Sequence, residues 1–211
     1  ETIAGRPDFS NYLVHFTLNG KPKIDISENP TQKYSDMGAL EKLINILTDN
    51  KIIASITPWT QRRAVCFTEC PWTSLLEHTK TYSPYGIAFE KSFIFSRNGS
   101  PVYYVRADQF KKQKWDKDLY PFVTPFWPGY RPAHLKESID FGTCDFSHER
   151  EWRVPHDLPF EYDHISFIVL NTYEDMAGFP QQLKDNIGSE KFILMDNYRY
   201  IEKLWPVHIM R

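Results

Sequence analysis

Two carboxylates stand close together in the segment HEREWRVP, residues 148–155, where Glu149 and Glu151 are two residues apart. Trp152 and Val154 then begin what reads as a buried strand. Because side chains alternate along a strand, we expect both glutamates on one face. Paired carboxylates beside a cleft stabilise oxocarbenium-like transition states and activate an incoming nucleophile. The alternative is a solvated strand edge with alternating charges.

The charges within this segment affect how the two glutamates ionise. Like charges raise the pKa of one carboxyl group unless a neighbouring cation offsets them. The available cations are His148, Arg150 and Arg153, and ion pairing is the plainest role for the arginines. We expect Glu149 to lie closer to solvent than Glu151.

A histidine and a hydroxyl group stand together on the first predicted strand, residues 11–18. Alternation gives His15 and Thr17 the same face, so two hydrogen-bonding groups are a fixed distance apart. This pair is a candidate binding site for a polar ligand. The alternative is a core histidine whose hydrogen bonds are satisfied by a neighbour.

A polar helix start follows the predicted strand at residues 63–69. Pro71 opens a short helix that carries Thr73 and Ser74 in its first turn. Backbone N–H groups at a helix start bind polar ligands, so Ser74 is a candidate binding residue. The alternative is that one of these hydroxyl groups only caps the helix.

Residues 107–138 read as a long loop or an inserted subdomain. Five basic residues, two aspartates and seven aromatic residues are interleaved between positions 110 and 131. Basic charge follows phosphates while rings stack on bases, so the insertion is a predicted contact for single-stranded nucleic acid. The alternative is a satellite core with solvated lysines. The candidate contacts are Lys112, Lys114, Trp115, Trp127, Tyr130 and Arg131.

The elements that must position these residues are mostly strands. Further strand patterns occur at 85–90, 101–106 and 165–171, with a late one at KFILMD. Residues 37–50 have helical spacing, with Ser35 or Asp36 as the cap; another helical segment breaks near Gly178 and Pro180. Strands outnumber helices and do not alternate with them, which predicts an α+β fold with mixed or antiparallel sheets.

The length, charge and cysteine content of the chain limit the classes of protein to which it can belong. A chain of 211 residues suits one domain with an insertion at about 107–138. The net charge of −2 gives no global attraction for nucleic acid. The three cysteines, Cys66, Cys70 and Cys144, argue against a disulfide scaffold and lack the four-ligand pattern of zinc, which indicates a cytoplasmic protein without a metal site. No apolar stretch reaches the ~20 residues of a membrane helix.

Three separated motifs together resemble one family. H-x-T on the first strand, CFTE-x-PW-x-S and the late EWRVP strand are similar to ADP-ribosyltransferases of the His–Tyr–Glu lineage, which includes poly(ADP-ribose) polymerases and DarT-type toxins. The longer pattern CFTECPWTSLLEH…YSPYGIAFEK…PVYYV…HEREWRV is closer to the AbiGi-type abortive-infection family of phage defence. The resemblance covers residues 11–106 and 139–171.

The resemblance implies a split pair of mixed or antiparallel sheets flanked by short helices, with NAD as substrate across the split. By position, His15 would bind a ribose hydroxyl, Ser74 the nicotinamide amide, and Glu151 the oxocarbenium ion, while Glu149 would assist the acceptor. Cys66 or Phe67 stands where the family has its stacking tyrosine, and Tyr82 or Tyr85 is the replacement. The NAD-binding candidates are His15, Thr17, Arg63, Phe67, Ser74, Tyr82 and Tyr85.

The function that this resemblance implies is an NAD-dependent toxin. It would transfer ADP-ribose to RNA or DNA during abortive infection and would need an antitoxin partner. The absent tyrosine favours an alternative, a non-catalytic module of the same fold that serves as antitoxin or sensor. An NAD glycohydrolase is a third expectation.

Overall fold

A four-stranded mixed sheet forms the centre of the computed structural model, which describes residues 10–19, 37–69, 82–110, 112–128 and 144–204. Its order is β1 (Tyr12–Phe16), β5 (Gly86–Glu90), β11 (Ile165–Leu170) and β12 (Phe192–Leu194). β5 is antiparallel to both β1 and β11, and β12 is parallel to β11. These apolar segments became strands because their residues are β-branched or aromatic and buried.

A second sheet is antiparallel throughout. Its order is β3 (Ser55–Ile56), β4 (Arg63–Phe67), β9 (Trp152–Val154) and β6 (Ser100–Pro101). Among the residues that the structure describes, the bridge between the two sheets lies at Val14 and Thr68. The Val14 N–H donates to the Thr68 carbonyl at 3.0 Å, and the Thr68 N–H donates to the Val14 carbonyl at 2.9 Å. The strand that carries the histidine therefore meets the end of β4 directly.

Two strand pairs complete the β structure. β2 (Lys51–Ile52) pairs antiparallel with β10 (Leu158–Pro159), and β7 (Tyr103–Arg106) pairs in parallel with β8 (Val123–Phe126). β8 lies within the predicted insertion at 107–138. Ala107 and Trp127, from the same segment, form a small buried cluster with Cys144.

The longest described helix, α1 (Ala39–Asp49), covers the main core. Leu43, Ile46 and Leu47 are buried on one face, at the spacing that a helix requires. The Asn19 side chain accepts a 2.8 Å hydrogen bond from the Ala39 N–H, so an upstream asparagine satisfies the helix start. The predicted caps Ser35 and Asp36 lie outside the described residues.

Five shorter helices follow in the described ranges: α2 (Lys91–Ser96), α3 (Ala107–Phe110), α4 (Tyr173–Gly178), α5 (Gln181–Ile187) and α6 (Met195–Leu204). The break predicted near Gly178 and Pro180 separates α4 from α5. The α+β prediction is confirmed. Within the described ranges, no helix has the length and apolar character needed to cross a membrane.

Candidate functional site

A left-handed residue separates the two glutamates. Residues Ser147–Glu149 form a 3-10 turn, Arg150 follows with φ of 47°, and β9 begins only at Trp152. The prediction that Glu149 and Glu151 share one strand face is wrong. Neither residue lies in the strand, and Arg150 between them has a left-handed backbone conformation. Each carboxylate consequently has its own set of partners.

Arg153 holds both oxygens of Glu151. Its Nε donates to Oε1 at 2.7 Å and its Nη2 to Oε2 at 3.0 Å. Nη1 donates to the carbonyls of Pro121 and Val123 at 2.9 and 3.1 Å. The two charged side chains are only 7% and 12% exposed. This bidentate pair is therefore shielded from water, and it ties the insertion to β9.

Glu149 is buried and is held by a tyrosine. The Tyr82 hydroxyl donates to its Oε1 at 3.0 Å. Burial raises the pKa of Glu149, the Tyr82 hydrogen bond opposes this rise, and the negative charge of Glu151 adds to it. The prediction that Glu149 lies closer to solvent than Glu151 is wrong, since Glu149 is buried and Glu151 only partly so.

The end of β4 holds the loop of the glutamates in place. The Thr68 hydroxyl and the Glu69 N–H both donate to the Glu149 carbonyl, at 2.6 and 3.2 Å. The buried Glu69 carboxylate lies 2.8 Å from Lys91 Nζ and 3.8 Å from Arg150 Nη1. Sequence reasoning did not single out Glu69 or Lys91, although Glu69 belongs to the FTE motif.

The His15 side chain contacts the backbone of β4 and not the side chains of the two glutamates. Its Nδ1 lies 2.9 Å from the Cys66 carbonyl, which can only accept, so Nδ1 carries the proton of the neutral ring. Burial lowers the pKa of His15, and the bond to Cys66 opposes the shift. The ring packs edge-on against Phe67 at 5.9 Å. Among the described residues, no hydrogen bond or ion pair joins His15 to Glu149 or Glu151.

Cys66 faces the Arg153–Glu151 pair from the neighbouring strand. Cys66 and Arg153 are register partners, so their side chains share one face of the sheet. Burial, followed by the charge of Glu151, raises the pKa of the Cys66 thiol. The protonated thiol is thus a neutral neighbour of the ion pair. The described residues contain no cluster of three or more side chains able to hold a metal ion.

The Thr17 hydroxyl is buried and donates to the Ala39 carbonyl at 2.8 Å, which anchors the start of α1. Its position beside His15 in sequence therefore does not make it a free hydroxyl. Ser74, the other hydroxyl predicted to bind NAD, lies outside the described residues.

The other predicted NAD contacts are dispersed. Arg63 pairs with Asp157 at 2.8 Å at the far end of β4. Phe67 is 2% exposed and packs within the core. The Tyr85 hydroxyl donates to Asp175 at 3.0 Å. Of the tyrosines predicted to replace the stacking ring, Tyr82 is the one that contacts a glutamate.

Some of the predicted nucleic-acid contacts in the insertion are exposed, and others are buried. Lys112 and Lys114 are exposed. Trp115 stacks on Phe110 at 6.2 Å, while Trp127 is 3% exposed, with the Arg106 guanidinium 5.9 Å from its ring. Trp127 belongs to the satellite core that was the alternative. Tyr130 and Arg131 lie outside the described residues.

The buried neutral histidine predicts a pH effect on stability. In the unfolded chain His15 takes up a proton near the ordinary histidine pKa of 6.5, while in the folded protein burial opposes that uptake. The unfolded state therefore binds more protons below that pH, and stability falls by at most about 1.4 kcal/mol per pH unit. Substitution of His15 by Asn keeps a donor for the Cys66 carbonyl without the titration. We expect its urea-unfolding profile between about pH 7.5 and 5 to be flatter than that of the wild type; superimposable profiles would contradict this.

Comparison with known proteins connects part of the chain to phage defence. Residues 37–124 match the family described as "Putative abortive phage resistance protein AbiGi, antitoxin". The match covers less than half of the 211-residue chain. It contains Tyr82 and the first part of the insertion but not His15, Glu149 or Glu151. No curated protein and no solved structure matches. The similarity supports a place for this chain among phage-defence proteins.

Proposed function

We propose that this chain is the antitoxin of an abortive phage-resistance pair, a protein that binds a toxin and restrains it. The description of the matching family as an antitoxin supports the proposal. The proposal is also supported by the contacts of the two glutamates, since Glu151 is bonded to Arg153 and Glu149 to Tyr82. A carboxylate stabilises a ribose cation through its negative charge, and Arg153 already pairs with that charge through both oxygens of Glu151.

The described residues fit NAD poorly for related reasons. The Thr17 hydroxyl is bonded to the start of α1, and the Phe67 ring is enclosed in the core. Arg153 also donates to two carbonyls of the insertion. A movement that separated Glu151 from Arg153 would therefore disturb the insertion as well. A binding protein keeps all of these contacts, and a transferase would have to break several of them.

The second candidate is an NAD-dependent ADP-ribosyltransferase toxin with RNA or DNA as acceptor. The Tyr82–Glu149 pair favours it, because burial raises the pKa of both partners, Glu149 and Tyr82, beside a second carboxylate. Buried, perturbed titratable groups occur often at catalytic sites. Lys112 and Lys114 would then supply charge for the acceptor.

Growth of a bacterial host separates the two candidates. We express the proteins encoded by the genes that flank the gene of this chain, each as a candidate toxin, with and without this chain. The antitoxin proposal predicts growth arrest by one neighbour alone and restored growth on co-expression. Glu151→Gln, once circular dichroism shows that the variant is folded without its charged bond to Arg153, and the surface variant Glu174→Gln should both restore growth, since neutralisation requires no catalysis.

The opposite pattern would overturn the proposal. Arrest by this chain alone, lost in a Glu151→Gln variant that circular dichroism shows to be folded but kept in Glu174→Gln, identifies it as the toxin. Labelled NAD added to the purified chain then distinguishes the enzymes. Label on RNA or DNA indicates transfer, and free ADP-ribose indicates a glycohydrolase.

A further inference from the structure

The turn between β3 and β4 is tied together by its own hydrogen bonds. The Thr57 N–H donates to the Arg62 carbonyl at 2.8 Å, and the Gln61 N–H donates to the Thr57 carbonyl at 3.0 Å. The Gln61 side chain donates to the Pro58 carbonyl at 2.7 Å. The Thr57 and Thr60 hydroxyls lie 2.8 Å apart. These bonds fix residues 57–62 in one shape.

Gln61 has φ of 53°, a left-handed conformation that is uncommon for residues other than glycine. Strained backbone of this kind concentrates at functional sites, where the surrounding bonds hold it. Trp59 lies at the tip of the turn and is 40% exposed. A large ring on a rigid turn loses little conformational entropy on binding. The turn is therefore preorganised to present Trp59.

The insertion lies directly beside this turn. The Arg62 guanidinium is 5.6 Å from the centre of the Tyr120 ring, and the adjacent Leu119 is exposed. Arg153 fixes the insertion from the other side through the Pro121 carbonyl. Residues 57–63 and 112–120 thus form one surface, which we call the turn–insertion surface.

The composition of this surface is that of a protein interface. Trp, Tyr and Arg carry most of the binding energy at such interfaces, and charged residues form the rim. Trp59, Arg62 and Tyr120 provide the first set, and Lys112, Lys114 and Lys117, in the segment that leads to Tyr120, are exposed. Arg63 is paired with Asp157, but Arg62 and the three lysines still outnumber the two aspartates on this surface, although the whole chain has a net charge of −2.

We propose that the toxin docks on the turn–insertion surface, with an apolar pocket for Trp59 and an acidic rim opposite Arg62 and the lysines. This inference rests on the proposed antitoxin function. Both segments of the surface lie within residues 37–124, the part of the chain that matches the antitoxin family.

The ring contacts favour a protein over single-stranded nucleic acid. Stacking platforms for nucleic acid offer successive open rings. Here Arg62 lies over Tyr120, Trp115 stacks on Phe110, and Trp127 is buried. Trp59, at 40% exposed, is more exposed than any of these four rings. A single exposed indole ring suits insertion into one apolar pocket of a partner protein.

Affinity for the purified neighbouring-gene protein tests the inference. We expect Trp59→Ala and Arg62→Glu each to weaken the dissociation constant by about thirtyfold or more, as for interface hot spots. Arg62→Glu should also make binding less sensitive to salt. Phe95→Ala, at a side chain 69% exposed on α2, and Arg199→Glu on α6 are the matched controls and should bind like the wild type. Circular dichroism of each variant verifies the fold.

The outcomes separate this inference from the proposed function. Neutralisation by the wild type with unchanged affinity in both turn variants overturns the docking surface and leaves the antitoxin function standing. No binding by the wild type overturns both. A labelled 20-nucleotide RNA is the further probe: binding that is lost in Trp59→Ala assigns the surface to nucleic acid and overturns the protein partner.

Discussion

Substitution of Arg153 by methionine is expected to destabilise the protein by about 3–5 kcal/mol. Methionine keeps much of the apolar volume but removes the charge that compensates the buried Glu151. It also leaves the Pro121 and Val123 carbonyls without their donor. Urea unfolding at neutral pH measures the loss. The effect is large because an unpaired buried charge costs far more than the pair itself contributes.

Arg199→Met is the matched control. Its partner Asp196 lies 2.9 Å away on the same helix, and both side chains are well exposed to solvent. Exposed pairs of this kind contribute about 0–1 kcal/mol. The double variant Arg153→Met/Glu151→Leu should recover part of the lost stability, because no charge remains buried. Equal losses in Arg153→Met and Arg199→Met would show that the pair is not shielded as described.

Substitution of Leu43 by alanine is expected to cost about 2–5 kcal/mol. Leu43 is fully buried where α1 packs on the main core. Truncation of its side chain to alanine would leave a cavity that the neighbouring side chains cannot fill. Thermal and urea unfolding measure the change.

Thr48→Ala on the same helix provides the comparison. Thr48 is exposed and its hydroxyl bonds only to the Ile44 carbonyl, so we expect a change within about 0.5 kcal/mol. If Leu43→Ala and Thr48→Ala were equally stable, α1 would not be packed as the structure describes.

The elements with a clear apolar period were predictable from the sequence. β1, β4, β5 and β11 have runs of branched and aromatic residues, and α1 repeats its leucines at helical spacing. β8 was not predicted, because its segment contains Pro125 and stands among lysines and aromatics. Its position depends on the parallel pairing with β7 and on Arg153, both distant in sequence.

The candidate site was predictable only in part. Ion pairing was the expected role of Arg153 and is what the structure contains. The reversal at Arg150 was not expected, since an arginine with positive φ has no local sequence signal. The partner of His15 is a backbone carbonyl 51 residues away, and a carbonyl leaves no signature in side-chain patterns. The roles of Glu149, Glu151 and the NAD contacts remain predictions.

The strand order of the central sheet has a consequence for biosynthesis. β5 lies between β1 and β11, and β11 in turn separates it from β12. β1 can pair with β5 once residue 90 has been made, but β5 lacks its second neighbour until β11, residues 165–170, has been made. Under the proposed antitoxin function, a chain whose translation stops before residue 165 lacks the central pairing of β5 with β11 and is not yet a folded partner for the toxin.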